Sequence, residues 1–126
     1  MLKAPSYAMI NVSDMARSIE FYRDKLGLAV RFDSPGWTEL ETGTTTLALH
    51  HVSGGPAPKQ APGTEPWAGT CQLAWSVDDI ETTHAELLKR GVVFVMPPTP
   101  RPQEGIVLAI ALDPDGMTVS FAQSLR

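Results

Sequence analysis

Few residues of this chain could do metal-ion or acid–base chemistry: it has three histidines and one cysteine in 126 residues. Imidazole binds divalent metals and acts as a general base near neutral pH. His50 lies in the apolar run "TLALHH", where strand alternation turns His51 to the opposite face. His84 falls within a helical pattern and is expected to be a packing or helix-edge residue. Cys71 is expected to be a buried strand thiol, because no neighbouring base marks it as a nucleophile.

Composition narrows the possible functions. Hydrophobic residues make up 43% of the chain and charged residues 19%, as in ordinary globular proteins. The net charge is −4 and no Lys/Arg run occurs, so we expect no nucleic-acid partner. The apolar stretches fall short of the roughly 20 residues that span a bilayer. Without a recognisable export signal, and with a single cysteine, the sequence favours a reducing cytoplasm.

One pattern occurs twice along the chain. "MINVSDMARSIEFYRDKLGLAV" begins at Met9, and "LAWSVDDIETTHAELLKRGVVF" is its later counterpart. Each copy has an apolar run, an aspartate suited to cap a helix, apolar residues at helical spacing, and a glycine that ends the helix. Asp14 aligns with Asp79, and Gly27 aligns within one residue of Gly91. The repeat predicts two copies of one supersecondary unit in a single domain.

The strands predicted around the helices complete two β-α-β-β-β modules. The predicted strands are "SYAMINV", "LAVRFDS", "GWTELET", "TTLALHHV", "TCQLAWSV", "VVFVM", "IVLAIAL" and "MTVSFAQ". "DPDG" predicts a tight turn, and "PPTPRPQEG" predicts a Pro-rich arm outside the strands. We therefore expect module 1 at about 5–53, a Gly/Pro-rich linker at about 53–69, and module 2 at about 70–126. The linker is either flexible or an ordered arm over a site.

These motifs resemble the vicinal oxygen chelate superfamily, which includes glyoxalase I, bleomycin-resistance proteins and extradiol dioxygenases. The resemblance rests on "VSDMARSIEFYRDKLGL", "VDDIETTHAELLKRGV" and "LDPDGMTVSF". It implies an α+β fold in which two tandem βαβββ modules form a curved, barrel-like mixed sheet around a cavity. It also implies a homodimer, because members of the superfamily commonly pair.

The resemblance further implies where a divalent metal would be held, and the residues at those positions are poor ligands. The four positions are Tyr7, Ala48, Gln72 and Ser120. Ala48 has no donor atom, Tyr7 and Ser120 are weak neutral ligands, and no carboxylate offsets the charge of the ion. We therefore expect no metal at the usual position. His50, on the same strand face as Ala48, could be a displaced ligand, a hydrogen-bonding group, a general base, or a rim residue without a role.

Strand alternation selects the side chains that would line the cavity. Tyr7, Met9 and Asn11 share one face of the first strand, as Gln72, Ala74 and Ser76 do in the second copy. Trp75 should face the helix layer, and Trp37 is either cavity wall or core. An indole in the Gly/Pro-rich linker, Trp67, suggests a lid or an interface, and Arg101 could pair with an anionic ligand. The predicted ligand-binding residues are Tyr7, Met9, Trp37, His50, Gln72, Ser120 and Arg101.

Two functional hypotheses follow. The first is a bleomycin-resistance-like protein that binds a small aromatic or hydrophobic molecule without a metal or other cofactor. The second is a lyase or dioxygenase-type enzyme that uses Ni, Zn, Mn or Fe displaced to His50, or His50 or Tyr7 as a metal-free acid–base group. Pairing of the strands decides whether Glu39 or Glu41 approaches His50. The sequence favours the binding protein.

Overall fold

A computed structural model describes residues 1–56 and 68–126, which fall into two compact units, Met1–Pro56 and Ala57–Arg126. In the described residues, each unit contains one four-stranded mixed sheet and one helical region, in the order β-α-β-β-β. The predicted α+β class with two tandem βαβββ modules is confirmed. Each sheet is open in the described residues, since its two outer strands do not pair with each other to close a barrel.

The strands of the first unit follow the predicted segments. They are β1 (Tyr7–Val12), β2 (Ala29–Asp33), β3 (Trp37–Glu41) and β4 (Thr46–His51). Their order across the sheet is β1-β4-β3-β2, and β1 runs parallel to β4 whereas the other neighbours are antiparallel. A parallel pair needs a long crossover connection, and the helix after β1 begins that crossover.

The second unit repeats this topology. Its strands are β5 (Leu73–Ser76), β6 (Val93–Arg101), β7 (Ile106–Leu112) and β8 (Thr118–Ser124). Their order is β5-β8-β7-β6, with β5 parallel to β8. The predicted "DPDG" turn joins β7 to β8, and the N–H of Gly116 donates to the carbonyl of Asp113 at 2.9 Å. The repeated sequence pattern thus corresponds to a repeated arrangement of strands.

Both helices begin at the predicted aspartates. Helix α1 (Met15–Ile19) is capped by Asp14, whose carboxylate accepts the backbone N–H of Arg17 at 3.1 Å. Helix α2 (Ile80–Lys89) is capped by Asp79, which accepts the N–H of Thr82 at 3.0 Å. Each carboxylate satisfies an N–H group that has no partner within its helix.

Both helical regions also end as predicted, at a glycine in the left-handed region of backbone space. Gly27 has a φ of 85° and Gly91 a φ of 83°. The N–H of Val92 then donates to the carbonyl of Leu87 at 3.0 Å, which closes the last turn of α2. A side chain at either glycine would strain the backbone, because L-residues rarely adopt this conformation.

The first helical region differs from the prediction in its second half. After α1 the chain continues as a π-helix over Glu20–Lys25. The 3.6-residue pattern of the sequence predicts that Tyr22 lies in the core and does not include Phe21. In the wider π turn both Phe21 and Tyr22 are buried, and their rings meet edge to face at 4.9 Å.

The Pro-rich arm predicted after "VVFVM" is instead the second half of β6. This strand extends through "PPTPR" to Arg101, with irregular register between Phe94 and Thr99. Proline lacks the N–H that an interior strand must donate, but β6 is the outer strand of its sheet and needs partners on one side only. The prediction of an arm outside the strands was therefore wrong for "PPTPR", whereas "PQEG" forms the turn before β7.

Cys71 is also placed differently from the prediction. It precedes β5 and its thiol is exposed, because the strand begins at Leu73 rather than at the start of "TCQLAWSV". The expectation of a buried strand thiol was wrong. Gln72 lies in the same segment just before β5.

The core of each unit lies on the helix-facing side of its sheet. In the first unit the buried strand residues include Ile10, Val12, Leu40, Leu47 and Leu49; in the second they include Ala109, Ala111, Val119 and Phe121. Phe94 on β6 contacts His84 on α2, with ring centroids 4.5 Å apart, so His84 packs as predicted. Trp75 stacks on Phe121 at 6.1 Å, on this same side. The opposite side of each sheet carries the predicted site residues.

Candidate ligand-binding site

The strand register of the first unit brings the predicted site residues together on one sheet face. Tyr7 pairs with Thr46, Met9 with Ala48, and Asn11 with His50 across the β1–β4 pair. Trp37 also pairs with His50, and Glu39 pairs with Ala48, across the β3–β4 pair. Because alternate strand residues share a face, all of these side chains lie opposite the helix. We call this surface the aromatic face.

Three rings form the centre of the aromatic face. Tyr7 meets Trp37 edge to face at 5.5 Å, and Trp37 lies 6.1 Å from the His50 ring. Tyr7 stands beside Thr46 and Trp37 beside His50, so the two rings meet above Ala48 on the strand between them. Ala48 is completely buried, whereas Tyr7 is 53% exposed. A small residue at 48 thus allows the two rings to meet.

A carboxylate fixes the indole of this cluster. Trp37 Nε1 donates to Glu39 Oε2 at 3.0 Å, and Arg31 Nη2 donates to Glu39 Oε1, also at 3.0 Å. Arg31 also donates to the Thr46 hydroxyl and forms an ion pair with Glu41 at 3.6 Å. The hydrogen bond from Trp37, assisted by that from Arg31, lowers the pKa of the Glu39 carboxyl. Glu39 is therefore a charged positioning group for Trp37.

His50 has an amide partner rather than a carboxylate. Its Nδ1 lies 3.1 Å from Asn11 Oδ1, in keeping with the pairing of these residues on β1 and β4. Glu39 is turned towards Trp37 and Arg31, and Glu41 towards Arg31. The arrangement orients the imidazole without the carboxylate that usually supports a histidine general base.

In the second unit, Gln72 and Ser120 form a neutral polar pair. Gln72 Nε2 donates to Ser120 Oγ at 2.6 Å, and Thr118 Oγ1 donates to Gln72 Oε1 at 3.2 Å. Ser120 is completely buried, while Gln72 is exposed. Both polar ends of the Gln72 carboxamide are thus engaged with β8.

Arg101 and the two remaining tryptophans complete the account of the predicted residues. Arg101, at the end of β6, lies 3.7 Å from the Glu104 carboxylate and directs Nη2 to Met96 Sδ at 3.7 Å. A local carboxylate therefore already offsets the charge that was predicted to pair with an anionic ligand. Trp75 packs on the helix side, and Trp67 lies outside the described residues.

The residues at the four predicted metal-ligand positions do not fit a divalent ion. Ala48 offers no lone pair, and the Tyr7 ring is packed against Trp37 above it. Gln72, the best remaining donor, is bonded to Ser120 and Thr118. Such ions favour imidazole or carboxylate ligands, and within residues 1–56 and 68–126 no group of three or more His, Cys, Asp or Glu could hold one.

Two pairings on the aromatic face were not predicted from the sequence. Asn11 was placed on this face but given no role, and the Arg31–Glu39–Trp37 network was not foreseen. Residues 31 and 39 come together because β2 pairs antiparallel with β3, with Val30 opposite Leu40 and Phe32 opposite Glu39. The alternation of polar and aromatic residues in "WTELE" was the one local signal that pointed to them.

Comparison with known proteins agrees with this fold. The family model for the Glyoxalase/Bleomycin resistance protein/Dioxygenase superfamily matches residues 4–121, so the chain belongs to this superfamily. No match was found among curated proteins.

Solved structures of similar length share the fold. A glyoxalase family protein from Enterococcus faecalis has a TM-score of 0.79 and 24% identity, over 93% of this chain and 94% of its own. A glyoxalase/dioxygenase from Nostoc punctiforme has a TM-score of 0.78 and 19% identity, over 94% and 89%. TnmS3, an antibiotic binding protein from Streptomyces sp. CB03234, has a TM-score of 0.73 and 25% identity, over 98% and 97%.

Proposed function

We propose that this protein binds a small planar aromatic molecule on the aromatic face, without a metal ion. One observation carries the proposal: Tyr7 and Trp37 meet above Ala48, where the superfamily would place a metal ligand. An exposed phenol beside a partly exposed indole offers stacking and edge contacts to a flat ring, each worth about 0.5–1.5 kcal/mol beyond the area buried. The likeness to an antibiotic binding protein supports this class of function.

The charges on the aromatic face favour a neutral ligand. Arg31 is paired with Glu39 and lies near Glu41, so no free cation is offered to an anion among these residues. Trp37 has its N–H engaged by Glu39 and presents its ring rather than a donor. Apolar contact with a few polar groups is the usual character of a small-molecule site.

Binding is tested by fluorescence titration with a panel of naphthalene, quinoline and anthraquinone compounds. Trp75→Phe serves as the parent, because Trp75 packs on the helix side and would add an unresponsive signal. We expect saturable quenching in the parent. Trp37→Ala, followed by calorimetry, should weaken binding at least about tenfold, since roughly 1.4 kcal/mol of aromatic contact corresponds to that factor.

Two results would contradict the proposal. One is the absence of saturable binding by any compound of the panel to the Trp75→Phe protein. The other is unchanged affinity in Trp37→Ala, provided that its unfolding midpoint shows the variant to be folded. Gln72→Ala, a substitution in the second unit, shows whether binding depends on the first unit alone.

The alternative of a lyase or dioxygenase-type enzyme gains no support from these contacts. His50 is held by an amide, and the nearby carboxylates are directed to Arg31 and Trp37. An enzyme using a displaced metal or acid–base site at His50 stays a prediction, as do the homodimer and the cytoplasmic location. In the described residues no helix is both long and apolar enough to cross a membrane.

A further inference from the structure

We propose that Asn11 sets the hydrogen-bonding specificity of the aromatic face by fixing the tautomer of His50, so that the preferred ligand is a planar aromatic carrying a hydrogen-bond donor, such as a phenolic hydroxyl. This inference rests on the proposed function and names the chemical class of its ligand. Asn11 acts as a positioning residue, because it works through His50 rather than on the ligand.

The tautomer follows from the chemistry of the two contacting atoms. Asn11 Oδ1 is a carbonyl oxygen and can only accept a hydrogen bond, and His50 Nδ1 lies 3.1 Å from it. With the amide in this orientation, the imidazole carries its proton on Nδ1. In a neutral imidazole the other nitrogen is then a bare acceptor, so Nε2 presents a lone pair.

Strand pairing makes this arrangement part of the fold. Asn11 and His50 are direct partners across the parallel β1–β4 pair and point to the same face. His50 is also flanked by Trp37, its partner on β3, whose ring lies 6.1 Å away. The imidazole is partly exposed, so a molecule lying on the rings of Tyr7 and Trp37 can reach its edge.

Other polar groups of the aromatic face do not reverse the preference for a ligand that carries a hydrogen-bond donor. The Trp37 N–H and the Arg31 guanidinium are directed to Glu39, and Arg31 also contacts Thr46 and Glu41. The hydroxyl of Tyr7 can both donate and accept, so it does not distinguish ligands by their donors. The lone pair of His50 Nε2 distinguishes ligands that carry a donor from those that do not. A ligand hydroxyl donates to it, whereas an ether oxygen leaves two acceptors facing each other.

The first test measures the tautomer in the protein without a ligand. Long-range ¹H–¹⁵N spectra at about pH 8, where an ordinary imidazole is neutral, show which nitrogen of each histidine carries the proton. We expect the Nδ1–H form for His50 in the wild-type protein, and its partial or complete replacement by the Nε2–H form in Asn11→Leu. An Nε2–H form of His50 in the wild-type protein would overturn the inference.

The second test compares two matched ligands by calorimetry, 2-naphthol and 2-methoxynaphthalene. We expect 2-naphthol to bind the wild-type protein at least about tenfold more tightly. The ratio should fall below about threefold in Asn11→Leu, and also in His50→Phe, which keeps a ring beside Trp37. A purely structural role of Asn11 would weaken both ligands equally and leave the ratio unchanged.

The outcomes separate this inference from the proposed function. Equal affinities of the two compounds for the wild-type protein, or a ratio that survives Asn11→Leu, would overturn the inference and leave the aromatic site standing. Failure of both compounds to bind while other compounds of the fluorescence panel do bind would overturn the inference alone, and failure of these two and of the whole panel would overturn the proposed function with it. Unfolding midpoints of both variants show whether a lost affinity reflects a lost fold.

Discussion

Trp37 depends on a charged neighbour for its orientation, and this dependence gives the aromatic face a response to acid. The Glu39 carboxylate accepts from the indole and from Arg31, and these bonds hold its pKa below the usual value near 4.5. A carboxyl whose pKa is lowered by folding contributes stability above its unfolded pKa. That contribution is lost as the pH falls below about 4.5 and through the folded pKa.

We therefore expect the fluorescence of Trp37 to change as the pH is lowered from 7 to 3, at a pH below 4.5. Glu39→Gln keeps an oxygen that can accept from the indole but cannot titrate, so this transition should be absent. The measurement is an emission titration in a protein with Trp67→Phe and Trp75→Phe, in which Trp37 is the one remaining tryptophan. Identical pH profiles with Glu39 and with Gln at this position would contradict the assignment.

A second residue-scale prediction concerns a hydroxyl in the core. Ser18 on α1 is 1% exposed, and its Oγ has no hydrogen-bond partner in the described residues. A buried hydroxyl without a partner costs free energy that an alanine would not. Ser18→Ala should therefore raise the free energy of unfolding by about 1 kcal/mol in chemical denaturation.

Ser34 provides the matched control for this substitution. Its hydroxyl donates to the carbonyl of Trp37 at 2.7 Å and accepts the N–H of Trp37 at 3.1 Å. Ser34→Ala removes both bonds and should lower the free energy of unfolding. Destabilisation by Ser18→Ala comparable to that by Ser34→Ala would show that the Ser18 hydroxyl has a partner.

At the scale of elements, the two aspartate caps should be equivalent. Asp14 and Asp79 accept from the third residue of their helices at nearly the same distance. Asp14→Ala and Asp79→Ala should each lower the midpoint of thermal unfolding by about 3–8 °C. Asp78→Ala, an exposed position beside a cap, is the control and should change it little. Equal midpoints for Asp78→Ala and Asp79→Ala would contradict the capping role.

The elements also show which features a sequence can predict. Caps, terminal glycines and the "DPDG" turn depend on residues a few positions apart, and all were predicted correctly. The strand character of "PPTPR" could not be read locally, because it depends on β6 being the outer strand of its sheet. The exposed Cys71 was missed for a related reason, since the start of β5 is set by its pairing with β8.

The same distinction applies to the candidate site. Alternation placed Tyr7, Trp37 and His50 on strand faces from sequence alone. Their partners were not predicted, because Asn11 meets His50 through the β1–β4 register and Glu39 meets Arg31 through the pairing of β2 with β3. Contacts between side chains on neighbouring strands depend on the strand register. They could therefore not be predicted from alternation along a single strand.

At the scale of the whole molecule, the chain has the superfamily's repeated modules, with Tyr7, Ala48, Gln72 and Ser120 at the four positions predicted to hold a metal. The family match spans 4–121, and solved structures of similar length share the fold. This fold supports many chemistries, so function depends on the site rather than the architecture. Ala48 provides no metal ligand, and the rings of Tyr7 and Trp37 meet above it.

The most direct test of this account is the affinity of the tightest-binding planar aromatic compound before and after dialysis against EDTA, with Ni²⁺, Zn²⁺, Mn²⁺ and Fe²⁺ then added back singly. We expect the same affinity in every condition and no shift in the unfolding midpoint on adding any of the four ions, because Tyr7, Ala48, Gln72 and Ser120 provide no suitable ligand set. Loss of binding on chelation, restored by one of these ions, would contradict the metal-free site.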